Sequence, residues 1–129
     1  MQSTEIGSRP STAVVSLALA ADVVLVVVFA AFGRSAHGES LAGLPLTAWP
    51  FLVGLLVGWA ASRAWRRPLS VLPTGLLLWL STVAIGVGLR AVTGQGTHWS
   101  FVIVALIVTA VFLMGYRLIA SGIARFRKR

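Results

Sequence analysis

The chain has 129 residues, 57% hydrophobic and 11% charged, with no cysteine and a mean hydropathy of +0.91. Soluble domains carry about 25% charged residues, so this chain has too few to cover a water-facing surface, and one small membrane domain accounts for its length. Eleven Lys and Arg against three Asp and Glu give a net charge of +8, and the lack of cysteine excludes disulfides, thiolate metal sites and cysteine nucleophiles.

Crossing about 30 Å of hydrocarbon takes roughly 20 mostly apolar residues. After a polar segment, 1–11, the first such run is 12–32, interrupted by Asp22 alone. It is longer than the roughly 7–15-residue apolar core of a cleaved signal peptide and carries a central acid, so it reads as a retained span. The second run is 48–64, with Thr47 as N-cap and Pro50 in the first turn, where a missing N–H does little harm. The third, 73–91, has Pro73 at its first helical position and Arg90 at its far end. The fourth is 99–120, followed by a basic tail, 121–129. The connections are short, which makes consecutive helices antiparallel neighbours. The predicted fold is all-α, a four-transmembrane-helix bundle.

Nine basic residues (Arg9, Arg63, Arg66, Arg67, Arg117, Arg125, Arg127, Lys128 and Arg129) fall on one side of these spans, and two, Arg34 and Arg90, on the other. The positive-inside rule then places both termini in the cytoplasm and the protein in the cell inner membrane. The sequence pI of about 12.0 is therefore a topology signal and not the footprint of a nucleic-acid partner. The partner implied is the lipid bilayer, with the tail "IARFRKR" suited to anionic head groups at about 1 kcal/mol per basic residue near the surface.

The segments "TAWPFLV" (47–53) and "THWSFVI" (97–103) repeat each other. Thr47/Thr97, Trp49/Trp99 and Phe51/Phe101 match at an offset of 50, and the same offset brings Arg67 onto Arg117. Upstream, Arg34/Arg90 and Gly38/Gly94 match at an offset of 56. The pattern reads as a duplicated helical hairpin, two parallel copies about a pseudo-twofold axis along the membrane normal. The competing explanation is that Thr caps and interfacial Trp recur at helix starts independently.

Asp22 lies ten residues from each end of its run, near the bilayer midplane, where a charged Asp costs about 2.5–3.5 kcal/mol. It must face the bundle interior, be protonated or find donors; Ser81 and Thr82, at similar depth in the third run, are the candidates. Its role is either a proton-relay or substrate-binding carboxyl, or a buried group that fixes helix register. At the other end, "GRSAHGES" supplies Arg34, His37 and Glu39, and "RAVTGQGTHW" supplies Arg90, Gln95 and His98. Two arginines on glycine-rich loops could receive a carboxylate or phosphate bidentately; the plainer alternative is snorkelling arginines, with Arg34 or Arg90 paired to Glu39. No ligand spacing supports a metal there, and no cofactor motif occurs. Gly54 and Gly58 form a small-xxx-small packing face, inside the bundle or between protomers. Trp49, Trp59, Trp65 and Trp99 lie at span ends as an aromatic belt would.

Asp22, "GRSAHGE" (33–39), "TAWPF" (47–51), "GW" (58–59), "PTG" (73–75), Arg90 and "GTHWSFV" (96–102) together resemble the "domain of unknown function 3054" family, small prokaryotic membrane proteins with four predicted spans. The resemblance covers about residues 13–118 and implies fold and location; the family has no established activity, so it assigns no residue a role. The residues themselves suggest a small transport or ligand-binding protein, with Asp22 as the intramembrane group and Arg34 with Arg90 as anion contacts. A transporter this narrow would need a homodimer, for which Gly54 and Gly58 offer a face. The alternative is an accessory or assembly subunit of a larger membrane complex, its polar residues purely structural. No catalytic constellation for an enzyme is present.

Overall fold

A computed structural model describes residues 10–36, 38–95 and 98–128. His37 and Thr97, and the basic residues Arg9 and Arg129, lie outside the described residues. The described chain is all-helical: α1 (Thr12–Ala36), α2 (Leu44–Ser62), α3 (Leu76–Val92) and α4 (Trp99–Lys128). Each helical segment is long and apolar enough to cross a membrane, and the chain is a multi-pass membrane protein. Large apolar side chains on the periphery, such as Leu17, Ile107, Val111 and Ile119, are more than half exposed, as lipid-facing residues must be.

Cross-helix contacts fix the directions. Asp22 meets Trp59 and Arg34 meets Thr47, so α1 and α2 are antiparallel. Ser81 meets Gly54 across α2 and α3, and Trp79 donates to the Leu106 carbonyl across α3 and α4. The bundle therefore has a double-loop end, where α1 leads to α2 and α3 to α4. The other, terminal end holds the α2–α3 connection, the start of α1 and the end of α4.

Several helix boundaries differ from expectation, each for a local reason. α2 starts at Leu44 behind Gly43, with a proline in its first turn. Thr47 is thus not an N-cap but a buried residue inside the helix, and Pro50 is internal. Before α3 the chain makes a turn over Val71–Gly75, with Leu72 extended, so Pro73 precedes the regular helix instead of opening it. α4 runs on through the basic tail; its 30 residues span about 45 Å at 1.5 Å per residue, well beyond the roughly 30 Å hydrocarbon layer.

The core is built around an aromatic trio. Phe29 and Phe51 meet edge to face at 5.1 Å, and Phe101 lies 6.1 and 5.9 Å from them. The closest helix pair is α2 with α3, and glycine is the cause. A Cβ at Gly54 would lie 2.8 Å from the Ser81 carbonyl and 2.9 Å from that of Thr82. One at Gly58 would lie 3.0 Å from the Ser81 Cβ, and one at Gly86 would run into the Phe51 ring. This approach lets Ser81 Oγ donate to the Gly54 carbonyl at 2.7 Å. Gly54 and Gly58 are therefore used inside the bundle, and the protomer interface suggested for them is already filled by α3.

The two hairpins close with the same cap. Gly38 (φ 71°) follows α1, and Gly94 (φ 75°) follows α3, both in the left-handed region open to glycine. Gly38 N–H donates to Ser35 O and Glu39 N–H to Arg34 O; Gly94 N–H donates to Ala91 O and Gln95 N–H to Arg90 O. Both are Schellman motifs, which satisfy helix carbonyls that would otherwise lack partners. They also set Arg34 and Arg90 at corresponding positions beside their loops.

Candidate functional site

Two polar constellations stand at opposite ends of the bundle. The first is built on Asp22, whose side chain is wholly buried, as is that of Arg117. Arg117 donates in a bidentate fork, Nη1 to Oδ1 at 2.9 Å and Nη2 to Oδ2 at 2.7 Å. Tyr116 donates to Oδ1 at 2.7 Å and Trp59 Nε1 to Oδ2 at 2.8 Å. Each carboxylate oxygen thus accepts two hydrogen bonds. The guanidinium is anchored behind, Nε to the Pro68 carbonyl and Nη1 to that of Leu113, both at 2.8 Å. Charge-assisted, bidentate bonds of this kind are the strong class.

This geometry corrects the donors expected for Asp22. Ser81 bonds the Gly54 carbonyl, and buried Thr82 Oγ1 has no partner among the described residues. Neither reaches Asp22. The depth shifts as well, because Trp59 is three residues from the end of α2 and Pro68 lies in the α2–α3 connection. The carboxylate lies ten residues from the terminal end of α1 and fourteen from the other, slightly to the terminal side of the helix middle. Trp59, 6% exposed, is a core donor and no part of an aromatic belt.

Sequence reasoning missed Arg117 because it sits three residues inside the expected end of the fourth run and was grouped with the flanking charges. One signal could have found it. Arg117 is the sole charged residue within 99–120, as Asp22 is within 12–32, and isolated intramembrane charges pair with one another. The side chain's reach lets a residue near a helix end meet a partner deeper in the bundle.

The second constellation is an open cavity of about 400 Å³ at the double-loop end, lined by Gly33, Arg34, Glu39, Thr47, Arg90, Gln95, His98, Ser100 and Phe101. Every described member of the expected outer cluster is therefore brought together, and Thr47, Ser100 and Phe101 join them. Arg34 Nε donates to the Ser40 carbonyl at 2.6 Å and Nη1 to Thr47 Oγ1 at 2.8 Å. Glu39 stands 3.7 Å from Arg34 with its side chain 56% exposed, a loose ion pair at the rim. Arg90 reaches its own loop, donating to Gln95 Oε1 at 3.3 Å and Gln95 O at 3.2 Å, and its guanidinium lies 4.4 Å above the Phe101 ring. His98 Nδ1 is 2.9 Å from Ser100 Oγ. Two guanidinium groups thus share one open cavity with one carboxylate.

No group of three or more His, Asp or Glu side chains able to hold a metal occurs among the described residues.

Residues 19–120 match the family described as protein of unknown function (DUF3054). The chain belongs to that family. Neither the curated proteins nor the solved structures compared with it include a match. Both constellations of this DUF3054 protein fall within the matched segment: Asp22 near its start, Arg117 near its end, and the whole double-loop cavity between.

Proposed function

We propose that this DUF3054 protein is a ligand-binding protein of the cell inner membrane that takes a small oxyanion, carboxylate or phosphate, at its double-loop end. The observation that carries the reading is the convergence of Arg34 and Arg90 on one open cavity with Glu39 as its single described carboxylate. Thr47 and Ser100 add hydroxyl groups suited to the remaining anion oxygens. The site faces the periplasmic side, and both termini are cytoplasmic. With Arg117 drawn into the bundle, eight basic residues still flank the terminal end against two at the other, which supports that orientation.

The matched Schellman caps support reading the two hairpins as a duplicated unit that places one arginine from each copy in the cavity. Asp22 has no part in binding on this reading. It lines none of the described cavities, and both its oxygens are engaged. A second reading, an accessory subunit with structural polar groups, draws support from that same sealed carboxylate. It predicts stoichiometric co-purification with a larger membrane complex.

The test is thermal stabilisation of the purified protein by inorganic phosphate and by acetate. A ligand that binds only the folded state contributes about 2.7 kcal/mol at 100 times its Kd. Saturable stabilisation is expected for the wild type and its loss for Arg34→Gln and Arg90→Gln; equal responses from all three proteins would overturn the assignment.

A further inference from the structure

The polar cavity does not end at its polar walls. Gly33 and Phe101 also line a second, apolar cavity of about 220 Å³, formed with Phe32 and Ala36 of α1 and Val104 and Val108 of α4. Phe32 is 62% exposed and Val104 45%, so this groove opens sideways, toward the hydrocarbon of the bilayer. The two spaces share Gly33 and Phe101 as lining residues. Phe101 carries the Arg90 guanidinium over its ring and also lines the groove. Gly33 carries no side chain, and a Cβ there would already be in van der Waals contact with the Phe101 ring at 3.9 Å, so glycine keeps that strip open by one methyl's width.

The groove has a cause in the sequence. At an offset of 50, Gly54 and Gly58 of α2 correspond to Val104 and Val108 of α4. The glycines draw α2 onto the α3 backbone, whereas the branched valines hold α4 away from α1. One helix pair is zipped shut and the corresponding pair is left grooved, on the side where the arginine cavity lies.

We infer that the anion bound at the double-loop end is the head group of a single-chain amphiphile, whose alkyl chain lies in the groove between α1 and α4. This rests on the anion-binding reading above and narrows it to a substrate class. Oxyanion and chain enter together from the membrane: the head group meets Arg34 and Arg90, and the chain leaves past Gly33 and Phe101 toward Val104. A free anion uses half of this surface, and a zwitterionic lipid would set its cation against the arginines.

The experiment uses the full-length protein in nanodiscs of neutral phosphatidylcholine, with radiolabelled oleoyl lysophosphatidic acid as probe, oleoyl lysophosphatidylcholine as the zwitterionic control and inorganic phosphate as the chainless anion. Saturable retention of lysophosphatidic acid, at least tenfold above the zwitterionic control, is expected. Val104→Trp fills the groove from an exposed position and should lower retention at least tenfold while stabilisation by inorganic phosphate persists; Gly33→Leu closes the junction and should lower retention at least tenfold. Helical content and elution volume verify folding, and Val104→Trp, on the lipid-facing surface, keeps the test open where Gly33→Leu disturbs packing. Unchanged retention in Val104→Trp, or inorganic phosphate competing at concentrations equal to the lipid's, overturns the amphiphile while leaving the anion site standing. Unchanged retention and unchanged phosphate stabilisation in the Arg34→Gln/Arg90→Gln double variant overturn both.

Discussion

Replacing Asp22 with asparagine keeps the side chain's shape and removes its charge. Four donors converge on the carboxylate at 2.7–2.9 Å. An amide has one acceptor oxygen and turns an NH₂ group toward the rest, so at least two of those bonds fail. Arg117 remains wholly buried without a counter-charge. Removing one partner of a buried pair costs about 3–5 kcal/mol. Adding Arg117→Gln withdraws the orphaned charge and restores a neutral amide pair, so the double variant should be less damaged than the sum of its parts, with coupling of about 0.5–3 kcal/mol. Reversible unfolding in mixed micelles, followed by far-ultraviolet circular dichroism, measures all four corners of the cycle. The reasoning fails if Asp22→Asn costs less than about 1 kcal/mol, the worth of an exposed ion pair, or if the two substitutions are strictly additive. Phosphate stabilisation should survive in Asp22→Asn, because Arg34 lies twelve residues along α1, about 18 Å at 1.5 Å per residue.

The glycines should divide by what surrounds them. Gly54→Ala forces a Cβ against α3 backbone and should destabilise by about 1–3 kcal/mol, as overpacking does. Gly88→Ala, with nothing within 4 Å, should stabilise by about 0.5–1 kcal/mol; the same unfolding assay ranks both. Gly94→Ala places a side chain at φ 75° and should cost about 1–2 kcal/mol. Because Gln95 holds Arg90, it should also weaken phosphate stabilisation, whereas Ser121→Ala at the terminal end should not.

Four helices and their antiparallel order were legible because lipid imposes one requirement, an apolar run of sufficient length, that composition alone displays. The outer cluster was legible because Gly38 and Gly94 mark helix ends and the arginines four residues earlier share that register. What the sequence hid were relations between helices. Trp59 and Tyr116 look like ordinary interfacial aromatics until α1 is placed beside them. Arg117 looks like a flanking charge because a span's end cannot be located to within a turn. Thr47 looks like a cap because it precedes Trp49 and Pro50, yet three further residues of helix lie before it, and its hydroxyl serves Arg34 instead.

The division of labour between the two ends parallels which positions of the two hairpins match in sequence and which do not. Arg34 and Arg90, with their glycine caps, correspond at an offset of 56, and Phe51 and Phe101 at 50. Of those shared positions, Arg34, Arg90 and Phe101 line the double-loop cavity. At the terminal end the correspondence breaks: Asp22 maps onto buried Leu78, Trp59 onto buried Thr109, and Arg117 onto exposed Arg67. The charged lock therefore joins α1 to α4 and, among the described residues, has no counterpart between α3 and the Arg67 segment. It ties α1, α2 and α4 together on the side of the bundle where α4 lacks the glycines that draw α2 onto α3. Van der Waals zippering supplies closure where glycines allow it, and the ion pair supplies it at the terminal end of the looser pair. That leaves the double-loop end of α1 and α4 as the place where the bundle can admit a chain without breaking either.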